Sequence, residues 1–429
     1  FSAVTFAICM LVLIADGMDA QLLGIVAPIV IDEFGVDRGT FGLAVMAALV
    51  GFGLGSWGGG WLGDRIGRRW SLAIATVVFS AATMGASLAA DVWQMAAWRL
   101  VSGLGFGAAY STAITLTGDW LPDRWRSVGV TTISVGTPAG GTVVGALAPW
   151  LVEDIGWRGT FVAMGGATMA MVVLIVLLLR ESPGYLLTKG RSEAAHAVAA
   201  KVLDPPFELV AEHHATDAGG ESIGVFHRSN LRLNLGVGIS FAAAAMVAYA
   251  MLNWGTTFLT AKGFPFDEAS YAVSIGGITS MAASIVTGLL MHRFGSRPVF
   301  LAIAAGLLAT MVVLAVKVET MASAPAEGER LLVIGLYGLA AALFSAAIAG
   351  MYAVMTYAYP SACRSAGIGF GIFVARVGAI AGSGLGGSLI DMGQGSMWPY
   401  FGTLIAVSAL VFAAPLVIDR HLPPARERA

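Results

Sequence analysis

Residues 60–69 read Gly60-Trp61-Leu62-Gly63-Asp64-Arg65-Ile66-Gly67-Arg68-Arg69, and they return in altered form as Gly288-Leu-Leu-Met-His-Arg-Phe-Gly-Ser-Arg297. Each is a short charged island between apolar runs long enough, at about 1.5 Å per residue, to cross a hydrocarbon core of roughly 30 Å. A second match pairs Pro122, Arg126, Ser127 and Gly129 with Pro360, Arg364, Ser365 and Gly367. Such self-similarity divides the chain into two like halves. The first island then falls between spans two and three of each half, and the second between spans four and five.

The rest of the chain fits this division. Of its 429 residues 57% are hydrophobic and only 12% charged, whereas charged residues approach a quarter of an ordinary soluble domain. Hydropathy and charged punctuation place spans near 3–29, 40–62, 71–90, 93–118, 128–151 and 158–179. They resume near 233–260, 269–291, 298–316, 331–358, 366–390 and 397–418. Windows such as 169–179 are solidly apolar, unlike the alternating strands of about ten residues in a membrane barrel. The expected fold is an all-α membrane protein of twelve transmembrane helices in two six-helix halves, residues 1–180 and 232–420. A cytoplasmic loop, 181–231, would join them, and a cytoplasmic tail, 421–429, would follow.

With both termini cytoplasmic, most of the 24 Lys and Arg fall in inner loops and the tail, and only Arg38, Arg158, Lys262, Lys317 and Arg330 in outer loops. The positive-inside rule selects that orientation, and a bacterial-type inner membrane is the expected location. Gly51-Phe-Gly-Leu-Gly55 and Gly103-Leu-Gly-Phe-Gly107 are expected to be helix faces that pack closely through small residues. A net charge of −2 gives no nucleic-acid footprint. Cys9 in the first span and Cys363 in an inner loop are not expected to pair. The sequence opens on Phe1 rather than methionine, so a further N-terminal tail is expected, and the first span is too long and too polar at its centre for a cleavable signal.

The informative residues are the ionisable ones inside spans. Asp16 and Asp19 share one helix face, with Asp16 about 20 Å deep. A carboxylate there costs about 2.5–3.5 kcal/mol, so it faces a cavity, pairs or takes up a proton. Both are candidate proton carriers; a helix-packing pair is the alternative. Arg99, about two turns inside span four, needs an anion, and either Asp would serve. Arg376 lies near the middle of span eleven, and its guanidinium fork suits a substrate carboxylate. Tyr249, Asn253 and Trp254 in span seven, and Tyr352, Thr356 and Tyr357 in span ten, could wall an aromatic site. Of these, Tyr249, Asn253 and Tyr357 are the candidates for substrate contact. Asp64, Arg65 and Arg69 in the first island, with Asp119 closing span four, are the candidates for gating at the inner face.

No enzyme is expected. His213 and His214 adjoin, but no Cys or carboxylate spacing completes a metal site; Gly103-x-Gly105 has no preceding strand, and no Walker-type loop occurs. No cofactor is called for, and energy would come from an ion or substrate gradient.

The island at 60–69 resembles the signature loop of the major facilitator superfamily, and Arg99-x-x-x-Gly103-x-Gly105 resembles its second, proton-linked motif. The narrower sequence Asp16-Gly17-Met18-Asp19 resembles the Asp-Gly-x-Asp motif of the aromatic acid:proton symporter family. Gly156-Trp157-Arg158, Glu181-Ser182-Pro183 and Arg376-Val-Gly-Ala-Ile380 accompany it. That resemblance implies import of a benzoate-like or phenolic acid with protons, a small organic anion as partner and no cofactor. Two positions depart from it: Tyr110-Ser111-Thr112, where many members carry a Pro-Asn-like pair, and His292, where the repeat would place Asp. The expected function is secondary active symport by alternating access, carried out by a monomer in the lipid bilayer. A sugar or polyol porter is the nearest alternative, since Glu181-Ser182-Pro183 resembles its segment too. A drug exporter and a non-transporting sensor are more remote.

Overall fold

A computed structural model describes residues 2–121, 129, 132–133, 135–200, 225–322, 325–359 and 363–424. Pro122, Arg126, Ser127 and Pro360 of the second match, His213 and His214, and the tail beyond 424 lie outside the described residues.

The first six elements are α1 (Ser2–Phe34), α2 (Arg38–Ile66), α3 (Arg68–Ala86), α4 (Val92–Trp120), α5 (Gly136–Leu178) and α6 (Pro183–Thr188). A short α7 (Ser192–Ala199) follows. After 225 come a 3-10 turn (Arg228–Asn230), α8 (Leu231–Ala261), α9 (Phe266–Phe294), α10 (Ser296–Thr320), α11 (Glu327–Ala358), α12 (Arg364–Met392) and α13 (Trp398–Val417). Among the described residues, eleven helices are long and apolar enough to cross a membrane. The 43-residue α5 breaks at Gly156, whose φ of 68° a side chain would resist. Its two parts, 136–155 and 157–178, are each about 30 Å long, enough for one crossing apiece. Large apolar side chains such as Leu177, Leu289 and Phe373 are exposed on the outside of these helices, which only a lipid solvent would favour.

The repeated island folds the same way twice. Gly67 (φ 105°) and Gly295 (φ 83°) both take a left-handed conformation. Each donates its N–H back to the preceding helix, Gly67 to Gly63 O at 3.1 Å and Gly295 to Met291 O at 3.0 Å, and the next helix starts one residue later. Only glycine adopts that φ freely, which explains why it stands at the same place in both islands.

The chain groups into two compact units. One comprises 1–20, 47–141 and 150–220; the other comprises 21–46, 142–149 and 221–429. In the first, the two glycine faces expected from the sequence meet. A side chain at Gly51 would stand 2.9 Å from Leu104 N, and one at Gly59 would stand 2.7 Å from Ala108 Cβ. Close backbone approach thus replaces the hydrophobic effect, which cannot hold helices together in lipid. In the second unit α8 is the hub, packing against α11, α12 and α13. Phe258 stacks with Tyr337, Tyr400 and Phe401, with centroids 5.3–6.3 Å apart.

The segment after α13 returns to the second island. Ser296 N donates to Leu422 O, and Leu422 N to Ser296 Oγ, both at 2.8 Å. The His421 ring donates from Nε2 to Pro415 O at 3.1 Å, leaving Nδ1 to accept from Ser296 Oγ at 3.3 Å. That arrangement needs a neutral imidazole. Burial, then nearby Arg297, holds His421 below its ordinary value of 6.5, opposed by the Pro415 and Ile418 carbonyls and by Asp419. The depressed value means its contribution to stability is complete above 6.5 and is lost as pH falls through the folded-state value. Moving from about pH 7 to about pH 5 should therefore lower the protection of the Ser296 and Leu422 amides, measured relative to their intrinsic exchange rates, and His421→Gln should flatten that dependence. Equal slopes in the two proteins would refute the assignment.

Candidate functional site

In the first unit, α1 and α4 bring Asp19 and Arg99 into a buried ion pair. Arg99 Nη1 donates to Asp19 Oδ2 at 2.9 Å, and Nη2 to the Asp19 carbonyl at 3.1 Å. The residues are 3% and 1% exposed. Thr83 on α3 completes the carboxylate by donating to Oδ1 at 2.6 Å. Of the two aspartates that could have balanced Arg99, Asp19 is its partner. Asp16, one turn earlier and 3% exposed, accepts from Thr137 Oγ1 at 3.2 Å. A cavity of about 40 Å³, bordered by Asp19, Thr83, Thr168 and the thioethers of Met18, Met164 and Met171, adjoins the pair. It has room for a water molecule.

Helix geometry explains this meeting. Thr76, Ser80 and Thr83 recur at i, i+4 and i+7 on α3 and are all buried, a polar stripe on an otherwise apolar span. That stripe was readable in the sequence, although Thr83 and Thr137 were not among the expected residues.

At the first island the ion pairs centre on Arg68. Its guanidinium pairs with Asp64 and, at 3.7 Å, with Asp119. Arg65 stacks over Trp61 at 4.0 Å, and Arg69 bonds the Val176 carbonyl. Glu181, beyond α5, accepts from Arg68 N at 2.6 Å, Arg69 N at 3.3 Å and Ser182 N at 3.1 Å. A carboxylate from elsewhere in the chain thereby caps the N-terminus of α3, where a helix has unmet N–H groups and positive potential. Burial nonetheless pushes the Glu181 carboxyl above its usual range, against the pull of those N–H groups and of Arg68. Glu181→Ala should strand these donors and cost about 1–3 kcal/mol. A melting temperature equal to wild type would show that water replaces the cap.

In the second unit, α8 and α12 are joined side by side. Arg376 Nη1 donates to Tyr249 OH at 3.2 Å, and both residues are half-buried. One turn further along α8, Asn253 donates to Ser383 Oγ at 2.8 Å, and Trp254 Nε1 donates to Ser383 O at 2.9 Å. Trp254, fully buried, is a core residue. Tyr357 lies on an exposed face of α11, 47% accessible, and makes no hydrogen bond to the described residues. Tyr352 packs edge-on against Phe241, and Thr356 bonds within its own helix. Arg376, Tyr249 and Asn253 thus form one polar strip, from which Tyr357 stands apart.

Among the described residues no group of three or more His, Cys, Asp or Glu could hold a metal ion. Cys9 and Cys363 are buried free thiols.

The family model described as Major Facilitator Superfamily matches residues 9–326. The chain is 28% identical over 419 residues to the gallate transporter of Pseudomonas putida, covering 96% of this chain and 91% of that one. It is 25% identical over 422 residues to the 4-hydroxybenzoate transporter PcaK of Acinetobacter baylyi, covering 96% and 88%. Among solved structures, the partially occluded inward open conformation of the xylose transporter XylE from E. coli superposes with a TM-score of 0.75. It covers 98% of each chain at 16% identity, a likeness of fold alone.

Proposed function

The chain belongs to the major facilitator superfamily, and we propose that it imports a small aromatic carboxylate together with protons across a bacterial-type inner membrane. Its relatives are transporters rather than enzymes, and the gallate and 4-hydroxybenzoate carriers support the substrate class. The observation that carries the coupling half is the pair of buried carboxylates on α1, one held by Arg99 and the other beside Thr137. Ionisable groups in a membrane span are costly and rare, and by default they mark proton or substrate pathways.

In this reading Asp16 or Asp19 takes up the proton, and Arg99 answers the change in charge. Protonation of Asp19 weakens its hold on Arg99, so the binding of a proton and the preference between outward and inward states are linked. Arg376 anchors the substrate carboxylate, with Tyr249 setting its orientation; Asn253 and Tyr357 contribute to the walls. Asp64, Arg65, Arg69 and Asp119, with Arg68 and Glu181, form the inner gate. The two halves, 1–180 and 232–420, rock about that site with both termini in the cytoplasm, and the monomer is the working unit.

The test is uptake of radiolabelled 4-hydroxybenzoate and of an aliphatic acid into proteoliposomes, with and without an inward proton gradient. Gradient-driven accumulation of the aromatic acid alone supports the reading. Equal uptake of both acids overturns the substrate class, and uptake indifferent to the gradient overturns coupling.

A further inference from the structure

A second cavity, of about 220 Å³, lies wholly within the second unit, where the ends of α1 and α8 approach the start of α2. Pro28, Ile31 and Ala261 give it apolar walls, and Asp32, Arg38, Thr257 and Thr260 give it polar groups. It lies below the roughly 300–1,000 Å³ of drug-sized sites, a space for a molecule of about one ring.

Three features set it apart from an ordinary surface cleft. Thr257 is 2% exposed and borders the cavity, yet its Oγ1 has no hydrogen-bond partner among the described residues. A buried hydroxyl left unpaired costs about 1–3 kcal/mol, which a ligand accepting or donating there would recover. Arg38 is held from behind: Nη1 donates to Asp391 Oδ1 at 2.8 Å, while Asp391 Oδ2 accepts from Gly39 N at 3.2 Å. Its Nη2 and Nε make no hydrogen bond to the described residues, so a rigidly positioned edge of the guanidinium fork remains for a carboxylate. Asp32, on the exposed rim, makes no side-chain hydrogen bond to the described residues and can only accept one when ionised.

These groups specify a ligand. The Arg38 edge takes one carboxylate, the Pro28 and Ile31 walls take an apolar ring, and the Asp32 carboxylate repels a second anion but accepts from a hydroxyl donor. We propose that this cavity is a second, peripheral binding site for a hydroxylated aromatic monocarboxylate, on the outer side by the charge distribution of the loops. The proposal deepens the transport reading and rests on it for the substrate class. A loosely held molecule there raises the local concentration of substrate at the mouth of the pathway, and it favours hydroxylated acids over benzoate before the central site is reached.

Equilibrium binding of radiolabelled 4-hydroxybenzoate to the purified full chain tests it, with benzoate as competitor. Wild type should bind about two molecules per chain, the weaker displaced poorly by benzoate. Arg376→Gln should leave the weaker site alone; Thr257→Val and Asp32→Asn should each weaken it about tenfold and leave the tighter site unchanged. One molecule per chain in wild type overturns the second site while leaving the transport reading intact. Wild-type stoichiometry and affinities in both cavity variants overturn it equally. No binding at either site overturns both the proposal and the substrate class.

Discussion

Arg99→Leu is expected to destabilise the protein by about 3–5 kcal/mol and to abolish proton-driven uptake. The substitution strands the Asp19 carboxylate, 3% exposed, with the Thr83 hydroxyl as its remaining side-chain partner. Breaking a buried pair from one side costs far more than removing both charges, because the survivor has neither water nor counter-ion. The double variant Asp19→Asn, Arg99→Leu should therefore recover to within about 1–2 kcal/mol of wild type in thermal unfolding, while still failing to accumulate substrate. Near-wild-type melting of the single variant would mean that the pair is not desolvated in the membrane. Full accumulation by the double variant would remove Asp19 and Arg99 from the coupling mechanism.

Asp16→Asn should separate binding from coupling. The amide keeps the size of the side chain and can still accept from Thr137 Oγ1, 3.2 Å from Asp16 Oδ2, so insertion and folding should survive. What it loses is titration. An imposed difference of about two pH units is worth about 2.7 kcal/mol per proton, or about 100-fold accumulation at equilibrium. Wild type should approach that ratio. The variant should exchange labelled for unlabelled substrate yet equilibrate without accumulating it, and accumulation at the wild-type ratio would rule out Asp16 as a proton carrier.

The fold was legible because each of its signals is local. Apolar length identifies spans whatever surrounds them, since in lipid every backbone group has to be satisfied within its own helix. The repeated glycine was equally readable, since Gly67 and Gly295 both take a φ that other residues avoid. The fifth span was expected from 128; residues 128, 130–131 and 134 lie outside the described residues, 129 and 132–133 are helical, and the helix from Gly136 runs on through Gly156 into the sixth.

The site was legible in its charges and opaque in its pairings. Cost alone singles out Asp16, Asp19, Arg99 and Arg376, because an ionised group at that depth demands an explanation. Choosing Asp19 for Arg99 required the helices, since both aspartates share one face of α1 and differ by a single turn. The partners supplied by hydroxyls and main chain escaped notice. Thr83, Thr137 and the N–H groups that Glu181 caps belong to residue types common in any span or turn, and their meaning comes only from what lies opposite.

By itself, then, the sequence determined the solvent, the helical nature of the spans, the repeated turns and the four charges that need partners. Each of these follows from one residue's own chemistry or from its neighbours within a few positions. Tertiary structure alone decided that Arg68 rather than Arg69 gathers Asp64 and Asp119, that Tyr249 meets Arg376, and that Thr257, unpaired among the described residues, lines one cavity with Arg38. Those outcomes depend on the rotation and approach of helices far apart in the chain, fixed by glycine contacts and ring packing over many residues, and no local rule contains them.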